Sequence, residues 1–184
     1  MAKSIQFDIL SLSSIKEAQK QLIDYRNSLR GKCDLLVERL ATIGLSVVES
    51  KVRESPLGTN VVVSTRSETL PTGLQIVITA KGKVFDDLES KDGKPYPPFS
   101  TILAIEYGSG ISYNPQPNPN ADKYGYGVGT YPGQTHAFDD GWYFWDEKSQ
   151  KWKYTKGVKA TMPMYEAHRE MLEQAQIIAR EVFK

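Results

Sequence analysis

The sequence has little cysteine and histidine, the residues that most often hold disulfides and metal ions. It contains one cysteine, Cys33, and two histidines, His136 and His168. One cysteine excludes an internal disulfide, and two histidines are too few for most histidine-based metal sites. No segment approaches the ~18 consecutive apolar residues of a membrane span, and the first residues lack the apolar core of a signal peptide. We therefore expect a cytoplasmically folded chain without a metal site or membrane contact.

Neither sign of charge dominates. Lysine and arginine total 23 against 22 aspartate and glutamate residues, a formal net charge of +1. Affinity for nucleic acid or anionic lipid comes from neutralised phosphates and released counterions, so the composition excludes a general polyanion binder. The length of 184 residues and the 40% hydrophobic content fit one globular domain, placed at residues 1–184.

The first part of the sequence predicts a strand and then a long helix. Ile5, Phe7 and Ile9 alternate with polar residues, as in a half-buried strand. Ser14 and Glu17 have the spacing of a capping box, which predicts a helix start. Beyond them an apolar stripe recurs at steps of three and four residues. Its members are Ile15, Ala18, Leu22, Tyr25, Leu29, Leu36, Leu40, Ile43 and Val47.

An unbroken helix here would be too long for a compact domain. From about residue 14 to residue 50 it would extend roughly 55 Å at ~1.5 Å per residue, whereas the radius of gyration of such a domain is about 16 Å. Either the helix breaks near Gly31 or Gly44, where glycine is unfavourable, or it projects and another copy of the chain covers its apolar face. The second alternative makes self-association part of the fold.

The middle of the sequence predicts strands and an irregular loop. Residues 61–63 are β-branched, residues 74–79 alternate, and residues 101–105 form a third apolar run after the proline-rich residues 95–98. We expect one antiparallel or mixed sheet of about four to six strands. From about residue 108 to residue 141 glycine, proline, asparagine and tyrosine dominate, which predicts a long loop.

The last part predicts an aromatic hairpin and a closing helix. Residues 142–145 read Trp-Tyr-Phe-Trp, and a charged turn separates them from a second aromatic strand around Trp152. Pro163 suits a first helical turn, and apolar residues recur with helical spacing over residues 164–182. The succession of strand, helix, strands, hairpin and helix predicts an α+β fold.

No catalytic or cofactor motif is recognisable. Ser109 lies between two glycines but lacks the nucleophile-elbow pattern. The glycines of residues 125–129 match neither a dinucleotide fingerprint nor a P-loop. The acids at 139–140 and 146–147 are typical of solvated turns, and two carboxylates are also what glycoside hydrolysis requires. We expect no catalytic residue, no cofactor and no metal.

Two features are candidate binding signals. Alternation gives both faces of strand 142–145 aromatic side chains, which suits sugar stacking or burial in a subunit interface. A run of lysines among aromatic residues binds nucleic acid in some proteins, and in others it protects an edge strand from aggregation. The lysines are Lys148, Lys151, Lys153, Lys156 and Lys159.

Two segments resemble a bacteriophage family. Residues 104–110 read Ala-Ile-Glu-Tyr-Gly-Ser-Gly, and residues 155–165 read Thr-Lys-Gly-Val-Lys-Ala-Thr-Met-Pro-Met-Tyr. The tail-component family of long-tailed phages has an acidic-aromatic-Gly-Thr-Gly strand end, a variable loop and a Gly-x-x-Ala-x-Pro-Phe-Met-like entry into the last helix. Here Ser109 replaces the usual threonine, and residues 162–165 replace Pro-Phe-Met. The resemblance spans nearly the whole chain, and the loop resembles that of phages of Gram-positive hosts.

Members of this family are minor structural proteins of the head–tail junction, also called tail-completion, neck or head–tail joining proteins. The resemblance implies a homo-oligomeric ring, commonly a hexamer, between the connector on the portal side and the tail tube. The resemblance implies no catalysis. It also implies a phage or prophage gene, assembly in the host cytoplasm and a final place in the virion. The lysine run would then make non-specific contact with DNA in the lumen, or it would face acidic residues of a neighbouring subunit.

The resemblance and the aromatic hairpin supply the candidate motif and interface residues. Glu106 is expected to close a strand and pair with a lysine, while Gly108 and Gly110 let the chain leave the sheet at a sharp angle. The full set is Glu106, Tyr107, Gly108, Gly110, Trp142, Tyr143, Trp145, Trp152, Gly157, Pro163 and Met164.

The leading hypothesis is therefore a non-enzymatic structural protein of the phage head–tail junction. Two rivals stay open. One is a carbohydrate-binding module or small glycosidase that uses the Trp-rich hairpin and its neighbouring acids. The other is a nucleic-acid-binding accessory protein, whose affinity would fall steeply with salt.

Overall fold

In the part of the chain that the structure describes, three helices and four antiparallel strand pairs make up an α+β fold. The computed structural model describes residues 5–85, 99–110, 118–121, 123, 142–146 and 149–184, with the backbone alone for residues 142–146 and 152. The helices are α1 (Leu12–Glu54), α2 (Thr101–Tyr107) and α3 (Pro163–Val182), and a 3₁₀ turn spans Gly58–Asn60. The strands are β1 (Val61–Leu70), β2 (Gly73–Gly82), β3 (Val84–Phe85), β4 (Phe99–Ser100), β5 (Ser109–Gly110), β6 (Trp142–Asp146), β7 (Lys151–Thr155) and β8 (Gly157–Val158).

Helix α1 runs without a break for 43 residues, or about 65 Å at ~1.5 Å per residue. It begins at a cap other than the predicted one, because the side chain of Ser11 accepts a hydrogen bond from the Ser14 amide at 3.3 Å. The Ser14 hydroxyl instead accepts from the Asp8 amide at 2.8 Å. The sequence allowed either a helix that breaks near Gly31 or Gly44 or an unbroken one, and the structure has the unbroken helix.

The close approach of α1 to its neighbours depends on Gly44. A β-carbon at that position would lie 2.7 Å from the Met171 sulfur and 3.0 Å from Cδ1 of Ile78. At Gly31 a β-carbon would meet nothing within 4 Å. Gly44 therefore has a packing role in this helix, and Gly31 has none.

Helix α3 lies antiparallel to α1 and ends beside its middle. Near the start of α3, the Thr161 hydroxyl donates to the Lys51 carbonyl at 2.8 Å. Near its end, Arg39 and Glu181 form an ion pair at 3.1 Å. The core between the helices and the first hairpin consists of Val48, Val52 and Ala167, with partly buried Val47, Val61, Val63, Ile78 and Ala80 packed against them.

The β1–β2 hairpin is attached to α1 at both of its ends. Its ten residue pairs run from Val61–Gly82 at the base to Leu70–Gly73 at the turn. At the turn, Arg30 donates to the Leu70 carbonyl at 3.1 Å, and the Leu74 amide donates to Asp34 at 3.1 Å. The two predicted strands are confirmed and are longer than the sequence pattern indicated.

Three expectations are wrong. The alternating segment at Ile5, Phe7 and Ile9 is not a strand, and no other described strand pairs with it to satisfy its backbone groups. Residues 101–105 belong to helix α2, in which Ala104 and Ile105 are buried three and four residues after the buried Thr101. The described strands form four separate two-stranded sheets and not one sheet. Residues 95–98 and most of the predicted loop lie outside the described residues.

The aromatic hairpin is confirmed as the antiparallel pair β6–β7. The closing helix is confirmed as α3, with Pro163 as its first residue. None of the helices in the described part of the chain combines the length and apolar character that a membrane span requires.

Replacing the two glycines of α1 by alanine should have opposite effects. Gly44→Ala should lower the free energy of unfolding by about 1–2 kcal/mol, because the added methyl displaces Met171 and Ile78. Gly31→Ala should raise it by about 0.5–1 kcal/mol, because alanine is the better helix former and the space is open. Urea denaturation of both variants tests this, and equal shifts would contradict the packing role of Gly44.

Candidate functional site

The carboxylate of Glu106 lies where the three helices meet. Its Oε2 accepts a hydrogen bond from the Met164 amide at 2.9 Å, and its Oε1 accepts from the Tyr165 amide at 3.0 Å. Oε1 also accepts from the Asn118 side-chain amide at 2.9 Å. Glu106 is 6% exposed, so both oxygens are occupied inside the protein.

Glu106 acts as the N-terminal cap of α3. The residue before that helix, Met162, has left-handed backbone angles (φ 53°, ψ 50°) and makes no side-chain cap. Pro163 follows and has no N–H, so Met164 and Tyr165 carry the first amides that need an acceptor. A carboxylate satisfies them well because the N-terminal end of a helix is electropositive.

Backbone contacts hold the same three elements together. The carbonyl of Ile105 accepts from the amides of Thr161 and Met162 at 2.9 and 3.3 Å. The Thr161 hydroxyl reaches the carbonyl of Lys51 at the end of α1. The last turns of α1 and α2 are thereby fixed to the first turn of α3.

Gly108 turns the chain from α2 into β5. Its φ of 78° lies in a region that other residues rarely adopt, and its amide still donates to the Ala104 carbonyl at 2.9 Å. The chain then pairs with β8, with Ser109 opposite Val158 and Gly110 opposite Gly157. We call residues 104–110, Asn118 and residues 157–165 the Glu106 junction.

Burial raises the pKa of the Glu106 carboxyl above its ordinary value. Desolvation is the largest influence, and the hydrogen bonds from Met164, Tyr165 and Asn118 lower the pKa by less than burial raises it. The negative charge of Glu166 raises it further. The carboxylate is held mainly by N–H donors, since no lysine or arginine pairs with it among the described contacts.

A shallow groove of about 440 Å³ lies beside the junction. Its lining is largely apolar and includes Ile102, Leu103, Tyr107 and Met164, with His168 at one side. No group of three or more potential metal ligands occurs among the residues that the structure describes. The groove therefore offers apolar contact area beside a carboxylate whose oxygens already have partners.

Most of the predicted motif residues come together in this junction. Glu106, Gly108 and Gly110 from the first segment meet Gly157, Pro163 and Met164 from the second, and Tyr107 lies in the groove. Two roles expected of Glu106 are wrong. It ends a helix and not a strand, and it binds backbone amides and not a lysine.

The predicted aromatic residues lie on a different sheet. In the β6–β7 hairpin Trp142 faces Thr155, Tyr143 faces Tyr154 and Trp145 faces Trp152. This pair shares no described strand with β5–β8. Four of the five lysines of the predicted run are in the described range, and all four are exposed; they are Lys151, Lys153, Lys156 and Lys159.

The sequence pattern missed two groups of the junction. Asn118 lies in the segment predicted as an irregular loop, where one asparagine among many gives no signal. It is buried, and its amide binds Glu106. The other group is the Ile105 carbonyl, and a backbone acceptor has no signature in a sequence.

Replacing the Glu106 carboxyl, and with it the acceptor oxygens, should destabilise the protein. Glu106→Gln places an amide nitrogen against an N–H donor, and we expect the free energy of unfolding to fall by about 1–3 kcal/mol. Glu106→Ala leaves three donors without that acceptor and should cost more. Glu173→Gln, at an exposed position of the capped helix α3, is the control and should change stability by less than about 0.5 kcal/mol. Equal effects in denaturant melts would contradict the capping role.

The contribution of Glu106 to the free energy of unfolding should also depend on pH. Because its pKa is raised in the folded state, the folded protein keeps this proton at pH values where the unfolded chain has lost it. The stability that this retained proton contributes is fully present below the unfolded pKa of about 4.3 and is lost as pH rises through the folded pKa. The stability difference between wild type and Glu106→Gln should therefore shrink as pH rises above the unfolded pKa and through the folded one. A difference that grows with pH would contradict the raised pKa.

The junction joins two distant segments and caps a helix. Its carboxylate is engaged by three donors, and its glycines and proline have backbone roles. These are the geometry and chemistry of a group that fixes the fold. Comparison with protein-family models, curated proteins and solved structures finds no match to this chain.

Proposed function

We propose that this protein is a structural, non-enzymatic component of the head–tail junction of a long-tailed bacteriophage. The observation that carries the proposal is the Glu106 junction. The two segments that resemble the tail-component family, residues 104–110 and 155–165, are far apart in sequence and meet there through strands β5 and β8 and through Glu106. If the two parts of a motif form one junction, the fold needs the residues of both parts even though a variable loop separates them.

The residues of the motif have roles in folding. Gly108 and Gly157 have φ values of 78° and 102°, where side chains are strained. Pro163 occupies the first position of α3, where proline is favoured. Glu106 uses both oxygens to hold amides, which supports a structural role over general acid or base catalysis.

Exposed apolar residues on α3 and at Phe183, which follows it, support a protein partner. Leu172 is 63% exposed, Ile177 53% and Phe183 40%. In the proposed function copies of the chain form a ring, commonly a hexamer in the family, between the connector and the tail tube in the virion. Neighbours in such a ring present two different surfaces to each other. The exposed lysines Lys151, Lys153, Lys156 and Lys159 would face DNA in the lumen or acidic residues of a neighbour.

Binding to phage assembly proteins tests the proposal. Purified protein is mixed with the connector or the tail-tube protein of the phage or prophage whose genome encodes the chain, and followed by light scattering and negative-stain microscopy. We expect a ring seated on one of these partners, with each partner alone as the control. A chain that stays monomeric and binds neither would contradict the proposal.

The sugar-binding alternative makes a different prediction. Saturable quenching of tryptophan fluorescence by a glycan, lost in Trp152→Ala and kept in Tyr25→Ala, would favour it and overturn the proposal. For the nucleic-acid alternative, binding to DNA alone would fall steeply as salt rises. We expect no saturable sugar binding and only weak DNA binding.

A further inference from the structure

Among the residues that the structure describes, the N-terminal part of α1 extends beyond the two elements that pack along the rest of the helix, α3 and the β1–β2 hairpin. Two residues beyond the end of α3, the carbonyl of Lys184 accepts a hydrogen bond from Lys32 at 3.4 Å. The turn of the β1–β2 hairpin reaches Arg30 and Asp34. Residues 12–29 therefore project beyond both neighbours, over about 27 Å at ~1.5 Å per residue.

This projecting part carries an open heptad pattern, which we call the α1 seam. With Ile15 at position a, the a positions are Ile15, Leu22 and Leu29, and the d positions are Ala18 and Tyr25. Such spacing presents one apolar edge to a neighbouring helix. Ile15 is 39% exposed, Leu22 57%, Tyr25 58% and Leu29 41%, and only Ala18 is buried.

The seam ends where the contacts with α3 begin. Leu36 and Ile43 continue the a positions, but the next d positions are Lys32 and Arg39. Lys32 and Arg39 contact the end of α3 through Lys184 and Glu181. The heptad pattern is thus apolar at both a and d only in the projecting part, where α3 is absent.

The positions beside the seam do not oppose pairing with an identical helix. The e and g positions of the projecting part hold Leu12, Ser14, Gln19, Gln21, Arg26 and Ser28. Arg26 is their one charge, so two copies bring few like charges together. Lys16, Glu17, Lys20 and Asp24 lie on the outer face, as in an amphipathic helix with one covered side.

We infer that the α1 seam packs against the α1 seam of a second copy of this chain. A heptad edge fits a partner with the same repeat, because each a or d side chain enters a space between four residues of the facing helix. The α1 seam of another copy has that repeat. This inference goes beyond the proposed function, since it needs no phage partner. It also adds a contact between the same surface of two copies, which is distinct from the ring contacts between two different surfaces.

Sedimentation equilibrium of the purified full chain tests the inference. The matched variants are Leu22→Lys in the seam and Asn27→Lys on the outer face, because both add one positive charge at exposed positions of the same helix. We expect wild type to self-associate between about 1 and 100 µM, a range of dissociation constants typical of modest contacts. Leu22→Lys should raise the dissociation constant by at least about tenfold, and Asn27→Lys by less than about threefold.

Circular dichroism confirms that both variants keep the helix content of wild type before association is compared. A wild type that is monomeric across the whole range would overturn the inference. So would association that is equally strong in Leu22→Lys and Asn27→Lys, because another surface would then make the contact. Failure of connector or tail-tube binding would leave these results unchanged, so the two proposals fail separately.

Discussion

The hydrogen bonds between the Glu106 carboxylate and the first amides of α3 hold the described structure together. A buried carboxylate is costly unless donors surround it, and here two backbone amides and the Asn118 side chain do so. Without Glu106, α3 would begin with a left-handed residue, a proline and two unsatisfied amides. Because α3 covers Gly44, Val48 and Val52 of α1, the core also depends on where α3 starts.

The sequence was most informative where a pattern is local. Four elements follow from the periodicity of apolar residues or from turn residues within the same segment. They are the long helix, the β1–β2 hairpin, the aromatic hairpin and α3. Pro163 is the clearest case, because its effect on the first helical turn needs no distant partner. The family pattern also identified most residues of the Glu106 junction, although it assigned Glu106 to a strand end.

Expectations failed where the outcome depends on distant groups. Residues 101–105 are a short apolar run, which period alone cannot assign to strand or helix, and burial of Thr101, Ala104 and Ile105 on one side decides for helix. Ile5, Phe7 and Ile9 alternate like a strand but lack a neighbouring strand. Asn118 is important only because the fold brings it to Glu106, so no local pattern could have identified it.

The structure separates two tasks between two regions. The Glu106 junction fixes how the helices of one subunit meet, while the α1 seam and apolar residues of α3 are exposed and are the surfaces that we propose for contact with other chains. The near-neutral net charge of +1 is compatible with close packing of identical subunits. The proposed structural role requires this combination of a fixed interior and an exposed apolar surface.

Hydrogen exchange at the amides of Met164 and Tyr165 tests the central claim most directly, which is that Glu106 holds the start of α3. The first amides of a helix usually exchange quickly because they lack a partner within it. If Glu106 caps them, both amides should be protected like those in the middle of α3, and the protection should disappear in Glu106→Ala while the middle of the helix keeps most of its own. Rapid exchange of both amides in the wild-type protein would contradict the account.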